Sequence, residues 1–175
     1  MTPNSADFQD FLNHLTNNAL QSLKHADGIA RSFGSAYVGT EHLLLGLLAQ
    51  DSSMGAKILE GAGVTLDRAR LALNLTPKTL VANAGAKGLS ETAKLTLRMA
   101  YDTAQDYGQE FCGTEHILYS ILSQKNARAT VLLRDMNIDV DALNTELEQF
   151  LNRQQYEEDS GTDTRRRPGK KGRGK

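Results

Sequence analysis

Two side chains recur as an adjacent pair in this sequence. Glu41-His42 and Glu115-His116 each sit inside the tetrapeptide Gly-Thr-Glu-His, at 39–42 and 113–116. A carboxylate beside an imidazole can move protons or contribute to a metal site, so both pairs are candidates for such chemistry. The remaining histidines argue against it. Neither pair lies in a His-Glu-x-x-His arrangement, and His14 and His25 have no counterparts in the second half of the chain. Zinc needs three or four convergent ligands and no such set assembles, so a metal-dependent hydrolase is set aside and no cofactor is expected. His42 and His116 read as packed residues at helix starts. Glu41 and Glu115 read as first-turn carboxylates, each worth about 0.3–1 kcal/mol against the helix dipole.

Two other groups invite chemistry and are discounted. Cys112 is the sole cysteine and falls where the first half has Val38, an apolar slot. It reads as a buried, inert thiol. The stretch from Gly169 to Lys175 has the letters of a phosphate-binding loop, Gly-x-x-x-x-Gly-Lys, but no strand precedes it and no Ser/Thr follows.

The elements that carry these residues show a helical period. Ala19, Leu23, Ala26, Ala30 and Phe33 share one face, with Thr16 as N-cap and Gly34 as the stop. The alanines on that face imply close helix–helix approach. Thr40 reads as the N-cap of a second helix, whose run Leu43-Leu44-Leu45-Gly46-Leu47-Leu48 is apolar nearly all round and so belongs at the centre of its unit. A third helix is expected over Gly55–Gly61 and a fourth from Thr65 or Leu66 to Leu75, closed by Pro77. Residues 1–14 form a lead-in, with Phe8, Phe11 and Leu12 able to anchor a turn or two of helix capped by Asn4 or Ser5.

The pattern then restarts. Leu89, Ala93, Leu97, Ala100, Ala104, Gly108, Leu133, Asp141 and Leu147 repeat Leu15, Ala19, Leu23, Ala26, Ala30, Gly34, Leu59, Asp67 and Leu73 at a constant offset of 74 residues. Between positions 15 and 73, 16 of 59 residues are identical to their counterparts with no insertion. This is an internal duplication. Two copies are too few for a solenoid. The expected fold is all-α: two tandem four-helix repeats, about eight helices, related by a pseudo-twofold axis. The divisions are a lead-in at 1–14, the first repeat at 15–75, a linker at 76–88, the second repeat at 89–153 with a last helix from about Asp139 to Arg153, and a disordered basic tail at 154–175.

Composition narrows the function classes. The chain has 175 residues, 39% of them apolar, no Trp and a single cysteine. A lone cysteine excludes an internal disulfide framework and fits a reducing compartment. No apolar run approaches the ~20 residues of a membrane span, the N-terminus does not read as a signal peptide, and a cytoplasmic location is expected. Residues 1–156 carry 13 Lys/Arg against 17 Asp/Glu, whereas residues 157–175 carry 7 against 4. A nucleic-acid reading therefore rests on the tail alone, with Arg165–Arg167 and the lysines from Lys170 onward as a phosphate-binding arm.

These residues carry a resemblance. Two helical repeats, each with a Gly-Thr-Glu-His-[Leu/Ile]-Leu helix start, resemble the Clp N-terminal (Clp repeat) domain over residues 15–150. That domain leads the Clp family of AAA+ unfoldases, and the repeat spacing is most similar to the ClpC branch, which pairs with the ClpP peptidase. The resemblance implies an all-α domain that hydrolyses nothing itself, receives substrate and adaptor proteins, and passes them to an ATPase ring through a flexible linker. It also implies recognition of phosphoarginine at two equivalent sites, formed by Glu41 with Thr16 in the first repeat and Glu115 with Ser90 in the second. A guanidinium suits a carboxylate, and a phosphoryl group suits a helix N-terminus capped by a hydroxyl. The Arg common after the capping Thr in the family is replaced by Asn17 and Glu91, and Glu91 sets a negative charge close to the second phosphate position. The linker-like composition at the end favours the N-terminal piece of a longer unfoldase. A free-standing Clp-repeat protein acting as an adaptor and a small helical nucleic-acid-binding protein remain as alternatives.

Overall fold

The computed structural model describes residues 5–74 and 88–159. The linker expected at 76–88 lies outside these residues but for Gly88, as does the tail beyond 159. Among the described residues every element is a helix: α1 (Ser5–Asn13), α2 (Asn17–Ser32), α3 (Thr40–Ala49), α4 (Met54–Gly61), α5 (Leu66–Asn74), α6 (Glu91–Asp106), α7 (Thr114–Ser123), α8 (Arg128–Asp135) and α9 (Val140–Asp159). Helices α2–α5 and α6–α9 are the two repeats. The lead-in is a helix of nine residues rather than a turn or two. It is anchored because Phe11 meets Tyr101 of α6 edge-on, with ring centroids 6.2 Å apart. The last helix continues to Asp159, past the expected end at Arg153, because the polar run 152–159 contains neither Gly nor Pro to stop it.

Helices α2 and α6 form as the periodicity requires. The Thr16 and Ser90 hydroxyls accept from the N–H groups of Ala19 and Ala93, both at 3.1 Å. Gly34 closes α2 with φ +67°, its N–H bonding to Arg31 and that of Ser35 to Ala30; Gly108 repeats this after α6. The small faces of α2 and α6 let α3 and α7 approach closely. A Cβ on Gly46 would collide with the Ser22 carbonyl of α2. Helices α3 and α7 are buried from Thr40 to Leu48 and over nearly all of Thr114–Leu122, and their leucines and isoleucines form the centre of one continuous core.

The two repeats meet through reciprocal contacts. Thr16 N–H donates to Cys112 O and Cys112 N–H to His14 O, at 2.9 and 2.7 Å. Shifted by 74 residues, the same pattern reappears: Ser90 N–H donates to Val38 O and Val38 N–H to Gly88 O, both at 2.9 Å. The helix starts are equally reciprocal. Thr40 Oγ1 accepts from Ala129 N–H at 3.1 Å, and Thr114 Oγ1 from Gly55 N–H at 2.9 Å. A contact in which residue i meets j while j's equivalent meets i's is the signature of a twofold interface.

Thr40 is therefore not the N-cap that its position suggests. Gly39 is, and Thr40 is the first helical residue. Its hydroxyl caps α8 of the other repeat, where the N-cap position is Ala127 and offers no side-chain acceptor. Thr114 Oγ1 likewise accepts across the interface from α4, which already has Ser53 as its own cap at 3.2 Å from Ala56 N.

Candidate functional site

The two Gly-Thr-Glu-His starts place their histidines first. His42 Nδ1 accepts from Gly39 N–H at 2.9 Å, and His116 Nδ1 accepts from Gly113 N–H at 2.9 Å. Each imidazole closes half of a capping box over its own helix start. Because Nδ1 accepts, neutral His42 carries its proton on Nε2, which faces Ser35 Oγ at 3.1 Å. Burial lowers the His42 pKa below its ordinary 6.5; Glu41 opposes that shift and Arg128 adds to it. Among the described residues no three His, Cys, Asp or Glu side chains gather as a metal site, and both histidines are committed to helix starts.

Glu41 is the side chain whose setting calls for explanation. It is 8% exposed. Its carboxylate folds back over the helix start, and a Cβ on Gly39 would overlap it. That close approach is the physical reason for glycine there, since φ −97° is open to any residue. Oε2 meets Arg128 Nε at 3.2 Å. Oε1 is sealed from solvent and has no hydrogen-bond partner among the described residues. A buried acceptor left unpaired costs about 1–3 kcal/mol.

The surroundings are contributed by both repeats. Glu41, Tyr37 and Thr40 from the first share an open cleft of about 630 Å³ with Ser90, Lys125 and Arg128 from the second. The family resemblance pairs Glu41 with Thr16 and Glu115 with Ser90, one pair per repeat. The geometry regroups them. Ser90 is tied to Val38 and shares the cleft of Glu41, while Thr16 is tied to Cys112, just ahead of Glu115. The exchange follows from the reciprocal interface, which brings the start of each repeat's first helix against the other repeat's Gly-Thr-Glu-His segment. Glu91 consequently belongs beside the Glu41 cleft rather than beside Glu115, and it pairs with Lys94 at 3.2 Å. Glu115 is more deeply buried than Glu41, at 2% exposure.

Sequence reasoning missed Arg128 and Lys125. Both lie in a polar stretch with no motif. The available signal was the 74-residue offset, which sets Arg128 against Met54 and Lys125 against Asp51.

Comparison with known proteins places this architecture. The family model of the Clp repeat (R) N-terminal domain matches residues 14–89 and 88–170. The chain belongs to this family. An ATP-dependent Clp protease ATP-binding subunit ClpA homolog of Trieres chinensis is 32% identical over 143 residues, which is 81% of this chain and 16% of that protein. The chloroplastic chaperone protein ClpC1 of Oryza sativa subsp. japonica is 27% identical over 136 residues, 75% of this chain and 14% of that one. The chain thus spans about one sixth of the length of the curated relatives it matches. Among solved structures, the N-terminal domain of the chaperone ClpD from Arabidopsis thaliana superposes with a TM-score of 0.68 at 22% identity, covering 80% of this chain and 99% of that one. The N-domain of ClpV from Vibrio cholerae gives 0.64 at 16% identity, covering 86% and 93%. These likenesses establish the Clp N-domain fold with two tandem repeats. No helix among the described residues is long and apolar enough to cross a membrane.

Proposed function

We propose that this Clp repeat domain is a non-catalytic recognition domain of a ClpC-type unfoldase and protease system, receiving substrate and adaptor proteins for an AAA+ ATPase ring that works with a ClpP-type peptidase. The ring lies in the same polypeptide if the chain is part of a longer protein. A ClpV N-domain has been solved in complex with a VipB peptide, and peptide capture is the activity proposed here.

Phosphoarginine is the proposed ligand, at two sites that each straddle the repeats: Glu41 with Ser90, and Glu115 with Thr16. The observation that carries this reading is Glu41, a nearly buried carboxylate lining a cleft that also holds Arg128, Lys125 and a serine-capped helix start. An N-phosphorylated guanidinium presents the complementary pair, N–H donors for the carboxylate and an anion for the cations and helix start.

Calorimetry with free phosphoarginine tests it. The wild-type chain should bind, and Glu41→Ala combined with Glu115→Ala should abolish binding while the circular dichroism of the helices is retained. Unchanged affinity in the folded double variant would refute the assignment.

A further inference from the structure

The Glu41 cleft already contains a guanidinium. Arg128 Nε lies 3.2 Å from Glu41 Oε2, and the two side chains differ sharply in exposure, 67% for Arg128 against 10% for Glu41. The arginine is therefore a largely solvated cation resting on a nearly buried anion. Leaving a buried carboxylate without a cation is costly, whereas releasing a largely solvated arginine into water costs little. Exchanging one guanidinium for another keeps Glu41 paired throughout.

We infer that Arg128 is the specificity-determining residue of the Glu41 cleft: an incoming phosphoarginine guanidinium displaces Arg128 from Glu41, and the displaced Arg128 then holds the phosphoryl group. This rests on the reading of Glu41 as a guanidinium ligand. The exchange balances charge only for a modified arginine. A phosphoryl group brings the anion that Arg128 and neighbouring Lys125 then face. Unmodified arginine brings a second cation beside both of them and offers the displaced Arg128 no partner. Arg128 thus screens out ordinary arginine side chains, which every unfolding substrate presents in quantity.

The duplication supplies the contrast. The positions equivalent to Arg128 and Lys125 are Met54 and Asp51, at the same 74-residue offset. The Glu115 half of the molecule has no cation at either of these two positions.

The test uses the full chain as wild type, Arg128→Met and Arg128→Lys. Methionine is the residue the fold already accommodates at the equivalent position, and lysine preserves the charge. Each protein is titrated with phosphoarginine and with arginine while the amide resonances of Thr40 and Ser90 are followed. The expected result is a phosphoarginine-to-arginine affinity ratio that falls about tenfold or more in Arg128→Met, the scale of one charge-assisted hydrogen bond, and is largely retained in Arg128→Lys. A ratio unchanged in Arg128→Met, with wild type still binding phosphoarginine at these resonances, would overturn the role of Arg128 and leave the Glu41 reading standing. Absence of any shift at Thr40 and Ser90 in the wild type would overturn both.

Discussion

The two Gly-Thr-Glu-His segments share a sequence and a local geometry, but their surroundings differ. Each begins its helix at a glycine, each uses its histidine Nδ1 to hold that glycine's N–H at 2.9 Å, and each lends its threonine hydroxyl to a helix of the other repeat. Around the first copy the α7–α8 connection supplies Lys125 and the first residue of α8 is Arg128, and Glu41 pairs with the arginine. Around the second, the equivalent positions are Asp51 in the α3–α4 connection and Met54 at the start of α4. The duplicated backbone is the same in both copies, and the charges at these two equivalent positions differ. A shared motif in this fold therefore gives shared placement, while the side chains around it differ.

Substitutions can break that comparison in order of expected effect. Leu44 and Leu118 are equivalent and fully buried, so Leu44→Ala and Leu118→Ala should each cost about 2–5 kcal/mol in urea unfolding. A loss at only one of them would show that the repeats do not share a core. Next comes Gly46, whose equivalent is Ser120. Gly46→Ser introduces the sister residue, yet its Cβ would run into the Ser22 carbonyl, and a loss of about 1–3 kcal/mol is expected. The reverse change, Ser120→Gly, should cost no more than about 1 kcal/mol from helix propensity.

The crossed caps come third. Thr40→Ala removes the side-chain acceptor that serves α8, whose own N-cap is Ala127, and should cost between about 1 and 2 kcal/mol. Thr114→Ala should cost less, on the order of 0.5–1 kcal/mol, because Ser53 still caps α4. Adding Ala127→Ser to Thr40→Ala should recover part of the loss.

The smallest effect is a pH dependence. His42 is held neutral by burial, with its pKa below 6.5. Above that value both folded and unfolded chains carry a neutral imidazole and the residue contributes no slope. As pH falls below about 6.5 the unfolded chain takes up a proton that the folded chain refuses, so stability declines until the folded pKa is passed. Protonation would also place a hydrogen on Nδ1, against the Gly39 N–H. Replacing His42 with Asn should flatten this part of a pH–stability profile. Because Arg128 helps hold the pKa down, Arg128→Met should shift the midpoint toward higher pH.

The sequence made the repeats, the helical faces and the burial of α3 and α7 legible, because a constant offset and a 3.6-residue period survive in residue types. It could not show which residues touch across the repeats. An offset identifies equivalents, such as Glu41 and Glu115, but a twofold interface brings non-equivalent segments together, such as Glu41 and Ser90. Thr40 illustrates the same limit. A hydroxyl at a helix start looks like that helix's own cap whether it bonds within its helix or across to Ala129. Arg128 escaped notice because a single arginine in a polar connection has no local signature. Its meaning comes from the buried carboxylate it meets 87 positions away in the chain. The absence of an apolar face makes residues 154–159 read as disordered, whereas α9 carries on through them, and they contain neither Gly nor Pro.

The central claim is that each site is built from both repeats. The most direct measurement is a phosphoarginine titration followed at the amides of Thr40, Ser90, Thr16 and Thr114, in wild type and in Glu41→Gln. The account predicts that Thr40 and Ser90 shift along one isotherm, that Thr16 and Thr114 shift along another, and that Glu41→Gln removes the first pair of shifts and spares the second. Thr40 moving in step with Thr16, with Ser90 following Thr114, would contradict it.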